Sequence, residues 1–313
     1  FQSLEQSRSL FSSRWKTAGS PREMTMLEGA YTAIVTPFTR EGLVDYERFR
    51  DLIEFQIAGG IDGLVPVGTT GESPTLDYKE HERVVEFCLE TVSRRVKVIA
   101  GTGGNSTAEA IELTRHALAA GADATLQVTP YYNKPNSLGL VRHFSAVADL
   151  GLPVVLYNVP GRTGKEIPID VVVELSKHPK VVGIKEAGGS VDRVSQIVTR
   201  CALEVLSGDD SLTLPMMSVG AVGVISVVSN VAPRTVADLV HHALAGRWTE
   251  ARELHHRYFP LFSDLFIDTN PIPVKTALVM MGRIEEAFRL PLCEMSEPLK
   301  KRLAETLRQA GLI

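Results

Sequence analysis

The sequence predicts a (β/α)8 barrel followed by a helical appendage, and three observations carry that expectation. From Ala30 onward short β-branched runs alternate with longer amphipathic stretches, the mark of repeated βα units around a parallel sheet. Eight such units can be counted, and they fill roughly 220 residues, close to the ~250 typical of a closed eight-stranded barrel. A doubly wound open sheet would usually carry a glycine-rich phosphate turn after its first strand, and none is present.

The elements follow in order. The run Ala30–Pro37 opens the barrel, and the amphipathic stretch Asp45–Ala58 stops at Gly59. Gly63–Val67 and Asp77–Val92 make the second unit. In the third, Val96–Gly101 leads to Ser106–Ala120, where Ser106 and Glu109 have capping-box spacing and Gly121 stands past the end. Ala124–Val128 with Ser137–Leu150, Pro153–Asn158 with Pro168–Lys177, and Val181–Lys185 with Val191–Thr199 form units four to six. Glu204–Ser207 with Leu212–Val219 is the seventh, and Gly223–Val227 with Pro233–Ala245, closed by Gly246, is the eighth. The barrel is expected over residues 26–248, with a three-helix appendage over 249–313.

Residues 1–25 read differently, with six Ser and three Arg between Phe1 and Glu23 and no apolar periodicity. They are expected to lie outside the fold. Phe1-Gln2-Ser3 resembles a remnant of an expression tag, Met24 or Met26 would serve as a natural start, and a Ser/Arg-rich leader also resembles an organelle transit peptide.

Composition excludes several classes. A net charge of −4, with acids and bases interspersed, provides no basic stripe for nucleic acid. The longest apolar run, Ala221 to Ala232, is interrupted by Ser226, Ser229 and Asn230, short of the ~18 residues of a membrane helix. Cys88, Cys201 and Cys293 are odd in number and far apart, which suits a reducing compartment. The adjacent pairs His241-His242 and His255-His256 lack metal-ligand spacing and are expected on solvated helix faces.

In a barrel, reactive groups gather at the carboxyl ends of the strands. Three strand ends here are polar: Gly68-Thr69-Thr70-Gly71-Glu72-Ser73, Tyr157-Asn158 and Lys185-Glu186. Lys185 follows Val181-Val182-Gly183-Ile184, so its amine would meet an apolar rim that disfavours the charged form, and a neutral amine attacks ketones. A lysine snorkelling at a strand end would give the same pattern. Tyr157, on the neighbouring strand, could relay protons or could be a buried phenol with a satisfied hydroxyl. Thr69 and Thr70 lie between glycines, where hydroxyls and N–H groups can converge on a carboxylate or simply cap the next helix. Arg162 follows a rigid Val159-Pro160-Gly161 turn and suits bidentate grip of a second carboxylate. Tyr131 and Tyr132 follow Pro130 at the barrel mouth, the place of a lid or an intersubunit contact.

Together these segments, with Thr129-Pro130-Tyr131-Tyr132-Asn133, Tyr157-Asn158-Val159-Pro160-Gly161-Arg162-Thr163-Gly164 and Gly183-Ile184-Lys185-Glu186-Ala187, resemble the dihydrodipicolinate synthase family, of the N-acetylneuraminate lyase superfamily, from Met26 to Ile313. The resemblance implies condensation of pyruvate with L-aspartate-4-semialdehyde, the entry step of lysine biosynthesis, with no cofactor. It makes Lys185 the Schiff-base residue and Tyr157, Thr69 and Tyr132 a proton relay, Tyr132 reaching in from a neighbouring subunit. It gives the pyruvate carboxylate to Thr70 and the semialdehyde carboxylate to Arg162, with Gly208 and Ile225 lining the pocket. It further implies a homodimer or homotetramer in the cytoplasm, or in a plastid if the leader is a transit remnant. A lysine-effector cleft would comprise Ser73, Tyr78, His81, Asn105, Glu109 and Tyr131, with Tyr78 standing where enteric relatives have histidine. The alternative is a sister 2-oxo acid aldolase, such as N-acetylneuraminate lyase or a 2-keto-3-deoxy-sugar-acid aldolase. Arg162 and the paired tyrosines favour a short second substrate bearing a carboxylate.

Overall fold

The computed structural model describes residues 26–313, so the expectations for the leader lie outside the described residues. Eight parallel strands close into a barrel in chain order: β1 (Gly29–Thr32), β2 (Gly63–Leu64), β3 (Lys97–Gly101), β4 (Ala124–Val128), β5 (Val154–Asn158), β6 (Val181–Glu186), β7 (Glu204–Ser207) and β8 (Gly223–Ser226). The last pairs with the first through Gly29 with Gly223 and Tyr31 with Ile225. A Cβ at Gly223 would overlap the Gly29 carbonyl, so the seam closes only on glycine.

Outside the barrel run α1 (Tyr46–Ala58), α2 (Tyr78–Val92), α3 (Thr107–Ala120), α4 (Ser137–Ala148), α5 (Ile169–Leu175), α6 (Val191–Arg200), α7 (Thr213–Ser218) and α8 (Pro233–Leu244). Then follow α9 (Trp248–Asp264), α10 (Ile272–Met280) and α11 (Glu297–Gln309).

Strand alternation divides the apolar residues between two cores. Tyr31, Val155, Tyr157, Leu206 and Ile225 point into the barrel, while Ala30, Val154, Leu156, Val205 and Val224 face the helices. Leu27 joins the inner set, and Glu204 accepts the backbone N–H groups of Met26 and Leu27 at 3.1 and 2.7 Å.

Two strands are shorter than the sequence predicts by three residues or more. Pro66 brings no N–H to a ladder and Val67 turns to φ +54°, which ends β2 at Leu64. Ala33 and Ile34 still donate to Ser226 and Val65, but Ala33–Pro37 leaves the regular ladder. The expected capping box at Ser106 is absent: Ser106 makes no side-chain cap bond, and the Glu109 carboxylate lies beside Gly104. The box occurs instead at α2, where Asp77 accepts from the Glu80 N–H at 2.8 Å and Glu80 accepts from Asp77 in return. At the end of α1 it is Gly60, at φ +85°, and not Gly59 that takes the left-handed turn.

His241 is not simply a solvated helix residue, since its Nε2 meets Asp62 at 2.8 Å beneath β2. No helix among the described residues is long and apolar enough to cross a membrane. In the C-terminal segment Asp264 ties α9 to α11 by accepting from Thr306 and Arg302, each at 2.6 Å. The helix α10 is buried along nearly its whole length and packs against the Val228–Asn230 turn that follows β8. Lys275 is its single charge.

Candidate active site

The pleat that sends Val155 and Leu206 inward does the same for Tyr157 and Lys185, which are aligned partners in the β5–β6 ladder. Lys185 is 5% exposed, and its Nζ lies 4.4 Å from the centre of the Tyr157 ring. Thr129 closes β5 from the side, its hydroxyl donating to the Tyr157 carbonyl at 2.8 Å. Gly208, just past β7, leaves the amine its room: a Cβ there would sit 2.9 Å from Lys185 Cε. Ile225 points into the same interior. Burial pushes the Asp209 carboxyl above the usual range, while the Lys185 charge pulls it back down.

The Gly68–Gly71 turn is held between two backbone outliers. Val67 at φ +54° and Glu72 at φ +56° are both left-handed, unfavourable for non-glycine residues and most of all for a β-branched one. Thr36 fixes the turn by donating to the Gly71 carbonyl at 2.7 Å. Thr70 is buried, and its Oγ1 accepts from Asn270 Nδ2 at 3.1 Å. Glu72 is fully buried and pairs with Lys275, whose ammonium also lies 4.4 Å from the Phe38 ring and 5.0 Å from Phe288. Burial lowers the Lys275 pKa, and the Glu72 charge partly restores it.

Arg162 lies on the single helical turn Pro160–Thr163 with an exposed side chain, and its guanidinium donates to the Asn270 carbonyl at 3.0 Å. A cavity of about 210 Å³ opens beside it, lined by Val67, Thr69, Tyr131, Tyr157 and Arg162 among others. Thr70, Lys185, Gly208 and Ile225 are absent from that lining, although Lys185 lies against the Tyr157 ring that forms part of it. A larger cavity of about 770 Å³ runs past Asp62, Lys97 and Asp123 at the amino ends of the strands, remote from these groups. The carboxyl end is where chemistry is expected, and of the two it is the smaller cavity that reaches Tyr157, against whose ring Lys185 lies.

Tyr132 stands apart. It is 90% exposed at φ +70°, and it does not line the cavity that Tyr131 borders. Within one chain the structure therefore does not bring Tyr132 to Thr69 and Tyr157.

The expected effector residues do not all face one cleft. Ser73 and Tyr131 border the cavity. Glu109 raises the phenol pKa of Tyr78 as the leading cause, and that of Tyr131 after burial, so its carboxylate is within electrostatic reach of both phenols. His81 turns inward, Nε2 meeting the Gly101 carbonyl at 2.9 Å, and burial lowers its pKa to about 4. Asn105 accepts from Asn133 Nδ2 at 2.8 Å through its backbone carbonyl.

The residue-by-residue reading missed three supports. Glu186, on the outer face of β6, accepts from Asn158 Nδ2 at 2.7 Å, the Gly188 N–H at 3.0 Å and Arg193 Nε at 3.2 Å. It thereby joins the residues that follow Tyr157 and Lys185. Asn270 and Lys275 come from the segment assigned only a packing role. The lone lysine in Ile272–Met280 was a signal available in the sequence, since a charge in a helix apolar all round needs a buried partner.

Residues 26–310 match the model of the dihydrodipicolinate synthetase family. The chain is 54% identical over 291 residues to the 4-hydroxy-tetrahydrodipicolinate synthase of Geobacter sulfurreducens, covering 92% of this chain and 100% of that one. Among solved structures it resembles the chloride-inhibited dihydrodipicolinate synthase of Acinetobacter baumannii complexed with pyruvate, at 43% identity and a TM-score of 0.90, covering 92% and 100% of the two chains. It also resembles the Cyanidioschyzon merolae enzyme with lysine bound, at 38% identity and a TM-score of 0.90, covering 93% and 100%.

Proposed function

The chain belongs to the dihydrodipicolinate synthetase family, and on that premise we propose that Lys185 captures pyruvate as a Schiff base for condensation with L-aspartate-4-semialdehyde. The enzyme is a lyase, a 4-hydroxy-tetrahydrodipicolinate-forming synthase at the first committed step of lysine biosynthesis. The observation that carries the residue assignment is the buried Lys185 amine packed on the Tyr157 ring in register at the barrel mouth.

The amine of Lys185 attacks C2 of pyruvate and water leaves, giving an iminium that acts as an electron sink. Loss of a C3 proton produces an enamine, which attacks the aldehyde carbon of the second substrate. The amino group of that substrate then displaces Lys185 at C2, closing the ring and freeing the enzyme. The balance is two substrates in, product and one water out.

Tyr157 and Thr69 border the cavity and carry the protons, with Tyr132 completing the relay from a second subunit of a homodimer or homotetramer. The exposure and left-handed backbone of Tyr132 support a role in a partner's site, since neither serves the fold of its own chain. Thr70 holds the pyruvate carboxylate and Arg162 that of the semialdehyde, while Gly208 and Ile225 bound the imine. Lysine, as feedback effector, would set an ammonium against the Glu109 carboxylate and its own carboxylate against the Tyr78 and Tyr131 hydroxyls. The bound lysine of the Cyanidioschyzon merolae relative supports this.

The test follows product formation through the next enzyme of the pathway by loss of reduced nicotinamide. Wild type should be active and Lys185→Ala inactive; activity persisting in the variant would sink the assignment of the nucleophile.

A further inference from the structure

Asn270 belongs to the link between α9 and α10, outside the barrel strands, yet it touches both residues assigned to the substrate carboxylates. Its side-chain Nδ2 donates to Thr70 Oγ1 at 3.1 Å, and its backbone carbonyl accepts from the Arg162 guanidinium at 3.0 Å. The residue is 6% exposed, and its Oδ1 has no hydrogen-bond partner. Resting on the assignment of Thr70 to the pyruvate carboxylate, we propose that Asn270 is a positioning residue that sets the direction of the Thr70 hydroxyl, so that its proton is offered to the substrate.

A threonine hydroxyl carries one proton and two lone pairs. When an amide N–H occupies one lone pair, the proton is free to be donated elsewhere, and an ionised carboxylate can only accept. An acceptor in place of Nδ2 would reverse the arrangement. It would take the Thr70 proton for itself and leave oxygen lone pairs facing a carboxylate.

The Asn270 amide is held for this task from two sides. Arg162 anchors its backbone, and α10 begins only two residues later, fastened by Lys275 to Glu72 on the turn that carries Thr70. The two contacts of Asn270 also use different atoms. A side-chain substitution removes the bond to Thr70 and keeps the carbonyl that meets Arg162, so pyruvate recognition should suffer and semialdehyde recognition should not. General damage to the fold would move both.

The test is steady-state kinetics of the full-length enzyme with Asn270→Asp, Asn270→Ala and Thr70→Ala, each at saturating co-substrate, with the unfolding midpoint recorded alongside. Asn270→Asp should raise the pyruvate KM about tenfold to a hundredfold, as expected for a hydrogen bond to a charged group replaced by a clash. The semialdehyde KM should stay within about twofold, and the pyruvate defect should shrink at lower pH as the introduced carboxyl gains a proton to donate. Asn270→Ala should show a smaller rise in the same KM alone, and it carries the comparison if the aspartate variant does not fold. An unchanged pyruvate KM in the Asn270 variants, with Thr70→Ala strongly impaired, would overturn the proposal while leaving the carboxylate assignment standing. Equal rises in both KM values would reduce Asn270 to a packing residue. If Thr70→Ala itself binds pyruvate normally, the parent assignment fails and the inference falls with it.

Discussion

Replacing Lys275 by methionine should destabilise this protein more than almost any other single change of similar volume. Methionine keeps most of the stem but removes the ammonium, which lies over the Phe38 and Phe288 rings and pairs with Glu72, the two side chains being 1% and 0% exposed. The second oxygen of Glu72, Oε2, already lacks a hydrogen-bond partner, and Arg289, whose hydrogen bonds go to Gly42, Thr75 and Glu80, acts on the carboxylate only through space. Breaking one side of a buried pair costs about 3–5 kcal/mol, because an uncompensated charge stays behind in a low-dielectric interior. Against the roughly 5–15 kcal/mol of a typical folded protein, that is a large share. Glu72 also holds a left-handed backbone next to the Thr70 turn, so the pyruvate KM should rise in parallel. The double variant Lys275→Met/Glu72→Gln removes both charges and should recover most of the loss. The assay is denaturant unfolding at fixed protein concentration, comparing midpoints at unchanged slope. A single-variant loss below about 1 kcal/mol, or a double variant no better than the single, would refute the reasoning.

Three further outcomes are expected. His81 and His143 are buried neutral, each with a pKa lowered to about 4 from 6.5, so the unfolded chain binds their protons first. Their contribution is complete above pH 6.5 and drains away as pH falls towards about 4, by up to roughly 3 kcal/mol each; a His81→Asn variant whose stability falls as steeply with acid as wild type would contradict this. Tyr132→Phe should lower turnover sharply while borohydride still traps pyruvate on Lys185, and unimpaired turnover would remove Tyr132 from the relay. Calorimetric titration with lysine should release or absorb heat in wild type and lose the signal in Glu109→Ala; no heat at millimolar lysine in wild type would remove the effector cleft.

The eightfold alternation of short β-branched runs with amphipathic stretches determined the barrel, because period-2 and period-3.6 burial patterns are local properties of a sequence. The parity of β5 and β6 was not legible, because residues 154–157 and 181–184 carry no apolar/polar alternation; the closed barrel put Tyr157 and Lys185 side by side on its inner face. What pairs across long distance was not legible. Thr70 and Asn270 are 200 residues apart, Glu72 and Lys275 are 203, and nothing in either local pattern names its partner. Hydrogen-bond competition behaved likewise: Ser106 and Glu109 have the spacing of a capping box, yet the carboxylate lies beside Gly104, while Asp77 and Glu80, with equivalent spacing, close one. The sequence by itself therefore determined the scaffold and brought forward the candidate reacting groups, whose chemistry is intrinsic to their type. Only the tertiary structure decided how those groups are aimed, because aim depends on burial and on single hydrogen bonds from distant segments, which exist only after the chain has closed around them.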